Sequence, residues 1–354
     1  MKSVFLFLAL ILSTLRAQDS TLHISAYLDG YYGYDIGHTL GRSRPYFYVA
    51  NQHNNFNLNL LALKLTYSAD RYRLQATPAF GTYMAANYAA EPAELRYLVD
   101  AYGGLRLHNG IWLDAGILPS PFGYEGALSH DLPTYTRSFS AENSPYYLAG
   151  ARLTLPLGER LTGYAYMVNG WQNIRETNDA KSFIGQLQYK NGDRLLLNAS
   201  TYVGNEQTTD SLSNRMRYFV DLYAYWAPSD KFSILALFDV GSQQDKIAPK
   251  NPDSQLWHTA NCITSYRWAK EWRSSLRAEY YNDPKAANLA SATASGPGVE
   301  VYGGSLGLDY MPTALAMLRL EARYLQAGAD IFPEKDKDTN RRWMLTAALS
   351  IKIE

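Results

Sequence analysis

Cysteine is almost absent: Cys262 is the single one in 354 residues, so no internal disulfide can hold the fold. Long apolar runs are absent as well. Beyond residues 4–12 no segment approaches the ~20 apolar residues a membrane-spanning helix needs. Charge of one sign does not dominate. The 33 basic and 33 acidic residues give a formal net charge of zero at pH 7, which offers a polyanion such as nucleic acid nothing to grip. Enzyme signatures are missing too: there is no G-x-S-x-G, no H-E-x-x-H and no glycine-rich phosphate loop followed by lysine. The six histidines, among them His23, His53, His108 and His130, are scattered. No cofactor and no metal site are expected.

What is present begins with an export signal. Lys2 supplies the positive start, Val4 to Leu12 the apolar stretch, and Leu15-Arg16-Ala17 precedes Gln18. Residues 1–17 read as a secretory signal peptide cut near Ala17, too short in its apolar part to stay as an anchor. No cysteine follows it to carry a lipid. Residues 18–354 show no linker, charge block or composition shift and read as one domain.

That domain has a beat. About sixteen short segments alternate apolar and polar residues, the mark of strands with a different medium on each face. In the last one Trp343, Leu345, Ala347, Leu349, Ile351 and Ile353 share one side, and Arg342, Thr346, Ser350 and Lys352 the other. The strands are drawn from near residues 21, 55, 71, 94, 111, 146, 159, 182, 193, 215, 231, 256, 271, 299, 315 and 341. In the second, the phase slips after Leu60, which a β-bulge would repair.

Connections alternate between tight and long. The tight ones include His108-Asn109-Gly110, Asn191-Gly192-Asp193 and Met311-Pro312-Thr313, with residues suited to sharp turns. The long ones are 36–54, 84–93, 119–145, 171–181, 206–214, 243–255, 283–298 and 327–340. This asymmetry belongs to outer-membrane barrels, with short periplasmic turns and longer outer loops. A soluble sandwich or propeller would also give many short strands. Charge argues against it. Arg319, Glu321 and Arg323 share one face, as do Arg273, Arg277 and Glu279, while Leu318, Leu320, Ala322 and Tyr324 share the opposite one. Unpaired charge in a dry core costs several kcal/mol per group; in a wet lumen it costs little. The expectation is an all-β transmembrane antiparallel barrel of about sixteen strands, fourteen or eighteen as fallback, with lipid outside and water inside. The 29 tyrosines and seven tryptophans suit the headgroup girdles of such a barrel better than they suit sugar-stacking platforms.

The segment from Gly116 to Glu125, GILPSPFGYE, joins a strand to a proline- and glycine-rich bend. With the opening Ala26-Tyr27-Leu28-Asp29-Gly30-Tyr31-Tyr32 and the stretch Asn51 to Asn59, it resembles the OmpL-like outer-membrane β-barrel porins of Bacteroidetes-type bacteria. The resemblance spans the mature chain, although the C-terminal Ile353-Glu354 lacks the terminal aromatic common in such barrels. It implies a porin in the outer membrane of a Gram-negative bacterium, in contact with lipid and passing small hydrophilic solutes. It also implies a homotrimer.

In many porins the third outer loop folds into the lumen. Here that loop, 119–145, carries Glu125, Asp131 and Glu142. The inward basic residues Arg71, Arg73, Arg273, Arg277, Arg319, Arg323 and Arg342 are expected to face it across the closing seam, with Asp114 and Glu321 beside them. Opposed walls of this kind would set a transverse field; mutual pairing that merely solvates the wall is the alternative. The carboxylates of 330–338 could attract calcium, but interleaved lysines and the lack of glycine favour a solvated loop. Two other functional classes remain: a binding or adhesion barrel with a plugged lumen, and a barrel-embedded hydrolase. Of the latter, His258 on an outward face is the one hint.

Overall fold

The sixteen strands are antiparallel and each pairs with its sequence neighbours. They run β1 Thr21–Ile36, β2 Asn55–Ser68, β3 Tyr72–Phe80, β4 Leu98–Arg106, β5 Trp112–Pro119, β6 Tyr147–Pro156, β7 Leu161–Val168, β8 Ser182–Asn191, β9 Leu195–Asn205, β10 Met216–Trp226, β11 Phe232–Gln244, β12 Ser254–Arg267, β13 Trp272–Asp283, β14 Val299–Tyr310, β15 Ala316–Ala327 and β16 Arg341–Ile353. β1 also pairs with β16, with Ala26 opposite Ile353 and Tyr34 opposite Leu345, so the sheet closes and has no free edge. The computed structural model describes residues 20–37, 40–207, 215–244, 254–294 and 298–354; the signal segment lies outside them.

Strand positions follow the alternation closely. The β-bulge falls where the phase slips: Asp29 pairs with Leu60, and the next residue, Gly30, with Leu58. In the β4–β5 turn Asn109 and Gly110 both take positive φ, 56° and 76°, which their side chains tolerate. β4 starts four residues later than its pattern suggests. The chain before it turns back on itself, with Leu98 N–H donating to Leu95 O at 3.3 Å and Arg96 Nε to Glu91 O at 2.6 Å. Two short helices lie in outer connections, α1 Thr82–Asn87 and α2 Phe139–Glu142.

The two faces are inverted relative to a soluble protein. Leu318, Leu320, Trp343, Leu345 and Leu349 are exposed, while Arg319, Glu321 and Arg323 on the same strands are 3 %, 3 % and 1 % exposed. Aromatic pairs band the exterior at both ends. Trp268–Trp272 and Trp272–Tyr310 lie by the tight turns, Tyr280–Tyr302 and Tyr324–Trp343 by the long loops. Such rings sit where apolar tail meets headgroup. The apolar side meets lipid, and the charged side lines the interior.

Candidate functional site

Inside the barrel the third outer connection, 120–146, runs along the inner wall and bonds to it at every stage. At its start Pro121 O accepts from Ser200 Oγ at 3.1 Å, and Gly123 N–H donates to Asp221 at 2.9 Å. Tyr124 stacks on Tyr225 with centroids 5.2 Å apart. Midway, the N–H groups of Tyr135 and Thr136 both donate to Glu321 Oε2 at 2.8 Å, and Tyr135 Oη donates to Asp29 at 2.9 Å. Near its end Phe139 N–H donates to Glu279 and Ser140 Oγ to Asp239, each at 2.8 Å. The loop therefore covers the wall from β9 through β16 to β1. Arg137, fully buried, braces it from within by donating to Gly126 O, Tyr135 O and Ala127 O.

The arginines of this wall are clamped. Asp309 holds Arg319 at 2.5 Å and Arg273 at 2.7 Å; Glu321 holds Arg277 at 2.9 Å; Glu279 holds Arg323 at 2.7 Å. Loop carbonyls take up further donors. Leu132 O accepts from Arg273 and Arg319, and Thr136 O from Arg277 at 2.7 Å. Glu125 lies 3.9 Å from Arg277 and accepts from Asn261 at 3.0 Å. Glu125 also accepts from Ser138 Oγ. Within this group four guanidiniums thus meet four carboxylates. Arg342 is buried near Asp35 at 3.6 Å, and Asp35 also holds Arg44 of the first outer loop at 2.6 Å.

The remaining expected lining residues separate. Glu142 does not face an arginine directly. It accepts from the N–H groups of Tyr48 and Val49 at 2.8 and 3.2 Å, and burial pushes its carboxyl up to about 7. Asp131 sits at the periplasmic end, paired with Lys352 at 2.9 Å. Arg71 lies in the β2–β3 turn and is exposed, so it is displaced from the wall where the alternation set it. Arg73 and Asp114 lie on the opposite side from the loop. Arg73 donates Nε and Nη2 to the two oxygens of Asp114, both at 2.7 Å, and Arg152 donates Nε and Nη2 to Asp114 Oδ2 at 3.0 and 2.9 Å. Gly104 makes room for this pairing, since a Cβ there would meet Asp114 Oδ1 at 2.2 Å. Arg152 was absent from the sequence-derived set, though the inward phase it shares with Thr154 on β6 marks it. Arg44 and Arg137 lie in loops, where no periodicity could single them out.

The family model described as "Putative beta-barrel porin-2, OmpL-like" matches residues 21–353. The chain belongs to that porin family. Among curated proteins none matches it in sequence. The porin's fold is similar to that of the outer membrane channel DcaP of Acinetobacter baumannii, at TM-score 0.64 and 13 % identity over 95 % of this chain and 98 % of that one. It is also similar to an anion-selective porin from Comamonas acidovorans, at TM-score 0.60 and 10 % identity over 95 % and 100 %. A third is OmpT of Vibrio cholerae in a trimer form, at TM-score 0.61 and 10 % identity over 94 % and 99 %. At these identities the likeness carries the fold. Family and fold together place this porin in the outer membrane of a Gram-negative bacterium.

Proposed function

We propose that this porin passes small hydrophilic solutes by diffusion through a water-filled lumen, narrowed by the third outer loop. The observation that supports this reading is the bonding of residues 121–140 to inward-facing groups of β9–β16 and β1, and the path we propose runs along the β3–β8 side. Arg73 keeps 27 % of its side chain exposed there and Arg152 11 %; on the loop side Arg273 keeps 17 % and Arg277, Arg319 and Arg323 0–3 %. The lining of the open path then centres on Arg73, Asp114 and Arg152. Arg273, Arg277, Arg319, Glu321, Arg323, Arg342, Glu125 and Glu142 hold the loop and the walls it meets. Asp131 lies at the inner mouth, beside Lys352, and Arg71 stays exposed in the β2–β3 turn. Purified protein in planar bilayers should give discrete conductance steps. A homotrimer is part of the proposal, checked by the mass of the detergent-solubilised complex, and so is cleavage near Ala17, checked by the N-terminus of the mature protein.

One observation favours a second reading, a closed barrel acting through its outer loops. The loop and its partners fill the interior along more than half of the wall. Bilayers that stay silent at all voltages would favour that reading.

A further inference from the structure

The two guanidiniums on the open side share a single carboxylate. Asp114 is fully buried and takes bonds from both Arg73 and Arg152, so this cluster keeps one uncompensated positive charge. This cluster lies on the β3–β6 wall, away from the strands to which residues 121–140 bond. Aromatic rings hold it in place. Arg73 lies 4.5 Å from the Trp112 ring, and Arg152 lies 5.3, 6.0 and 5.9 Å from Tyr102, Tyr164 and Tyr166. A guanidinium stacked on rings is thinly hydrated and fixed in direction. Asp114 takes only Nε and Nη2 of each, so Nη1 of both arginines is left outside that bond pair. Two such Nη1 groups, one from each guanidinium, suit an oxyanion with several acceptors.

We propose that Arg73 and Arg152, bridged by Asp114, form an oxyanion subsite on the β3–β6 wall, selecting small carboxylate- or phosphate-bearing solutes. This rests on the diffusion reading above. Charge alone would favour any anion. The paired Nη1 donors add a preference for oxyanions over chloride, because contact with both is best met by two acceptor atoms. The surrounding rings and strands lower the local dielectric response, so the charge acts across less than the ~8 Å screening length at physiological salt.

The test measures reversal potential in a potassium chloride gradient and block of chloride current by inorganic phosphate. Wild type should prefer anions and be blocked by phosphate. Arg152→Gln should lower the chloride-to-potassium permeability ratio about threefold or more and weaken the block. Arg152→Lys should keep the ratio but weaken the block, because it retains charge and loses the planar group that binds Asp114 while presenting Nη1. Arg194→Gln, in the exposed β8–β9 turn, should change neither. Circular dichroism and heat-resistant migration identify variants that fold, and Arg73→Gln serves should Arg152→Gln fail. Conducting channels whose selectivity and block are the same in wild type, Arg152→Gln and Arg73→Gln would overturn the subsite and leave the diffusion reading standing. Silence of the wild type would overturn both.

Discussion

Asp309 and Asp239 look alike in sequence, each a carboxylate on an inward strand face, yet their surroundings differ. Asp309 bridges Arg319 and Arg273, whereas Asp239 stands directly across from Asp221 and accepts from Ser140 at 2.8 Å. Removing one partner of a buried pair leaves charge uncompensated, at about 3–5 kcal/mol. Asp309→Asn should therefore destabilise the refolded barrel by about that much. Like charges directly opposite one another repel, so Asp239→Asn should leave stability equal or raised. Thermal unfolding in detergent measures both, and equal losses would contradict this charge assignment. On the outer face the rule is simpler. Leu345 is exposed toward lipid, where arginine costs about 2–4 kcal/mol at the midplane. Leu345→Arg should lower folding yield into vesicles, while Lys352, at the rim beside Asp131, should tolerate exchange for Gln.

At the scale of elements, the loop containing Glu142 carries a pH dependence. Burial raises this carboxyl from an ordinary value of 4.5 to about 7, against the two N–H groups of Tyr48 and Val49 that favour its charged form. A raised carboxyl contributes its full stability below 4.5, and loses it as pH climbs through about 7. Glu142→Gln mimics the protonated form. Its melting temperature should coincide with wild type near about pH 5 and exceed it above about pH 8; a gap that does not change with pH would rule this out. The strands themselves were legible because alternation has a period of two and tight turns carry their own chemistry, as at Asn109-Gly110. The slip at Leu60 was readable for the same reason. The path of residues 120–146 was not. Its position in the order of loops suggested entry into the lumen, but which wall it would bind depends on partners such as Asp221, Glu279 and Glu321, distant in sequence. The sequence-level picture of loop carboxylates facing arginines across water became direct contact for Glu125 and a separate clasp for Glu142. Arg152 lay in plain alternation, and its importance came only from meeting Asp114 across β5 and β6.

At the scale of the molecule, the barrel is a lipid-facing shell whose inner charge is divided in two. One side pairs its arginines with Asp309, Glu279, Glu321 and the loop's Glu125, and the other gathers Arg73 and Arg152 on the single carboxylate of Asp114. The account rests on the loop occupying the lumen beside a remaining open path. Single-channel conductance of the whole protein, compared with a variant lacking residues 126–137, tests that most directly. The wild type should conduct in discrete steps, and the shortened loop should raise the step size at unchanged voltage and salt. Equal step sizes in the two proteins, or a wild type that never conducts, would contradict the account.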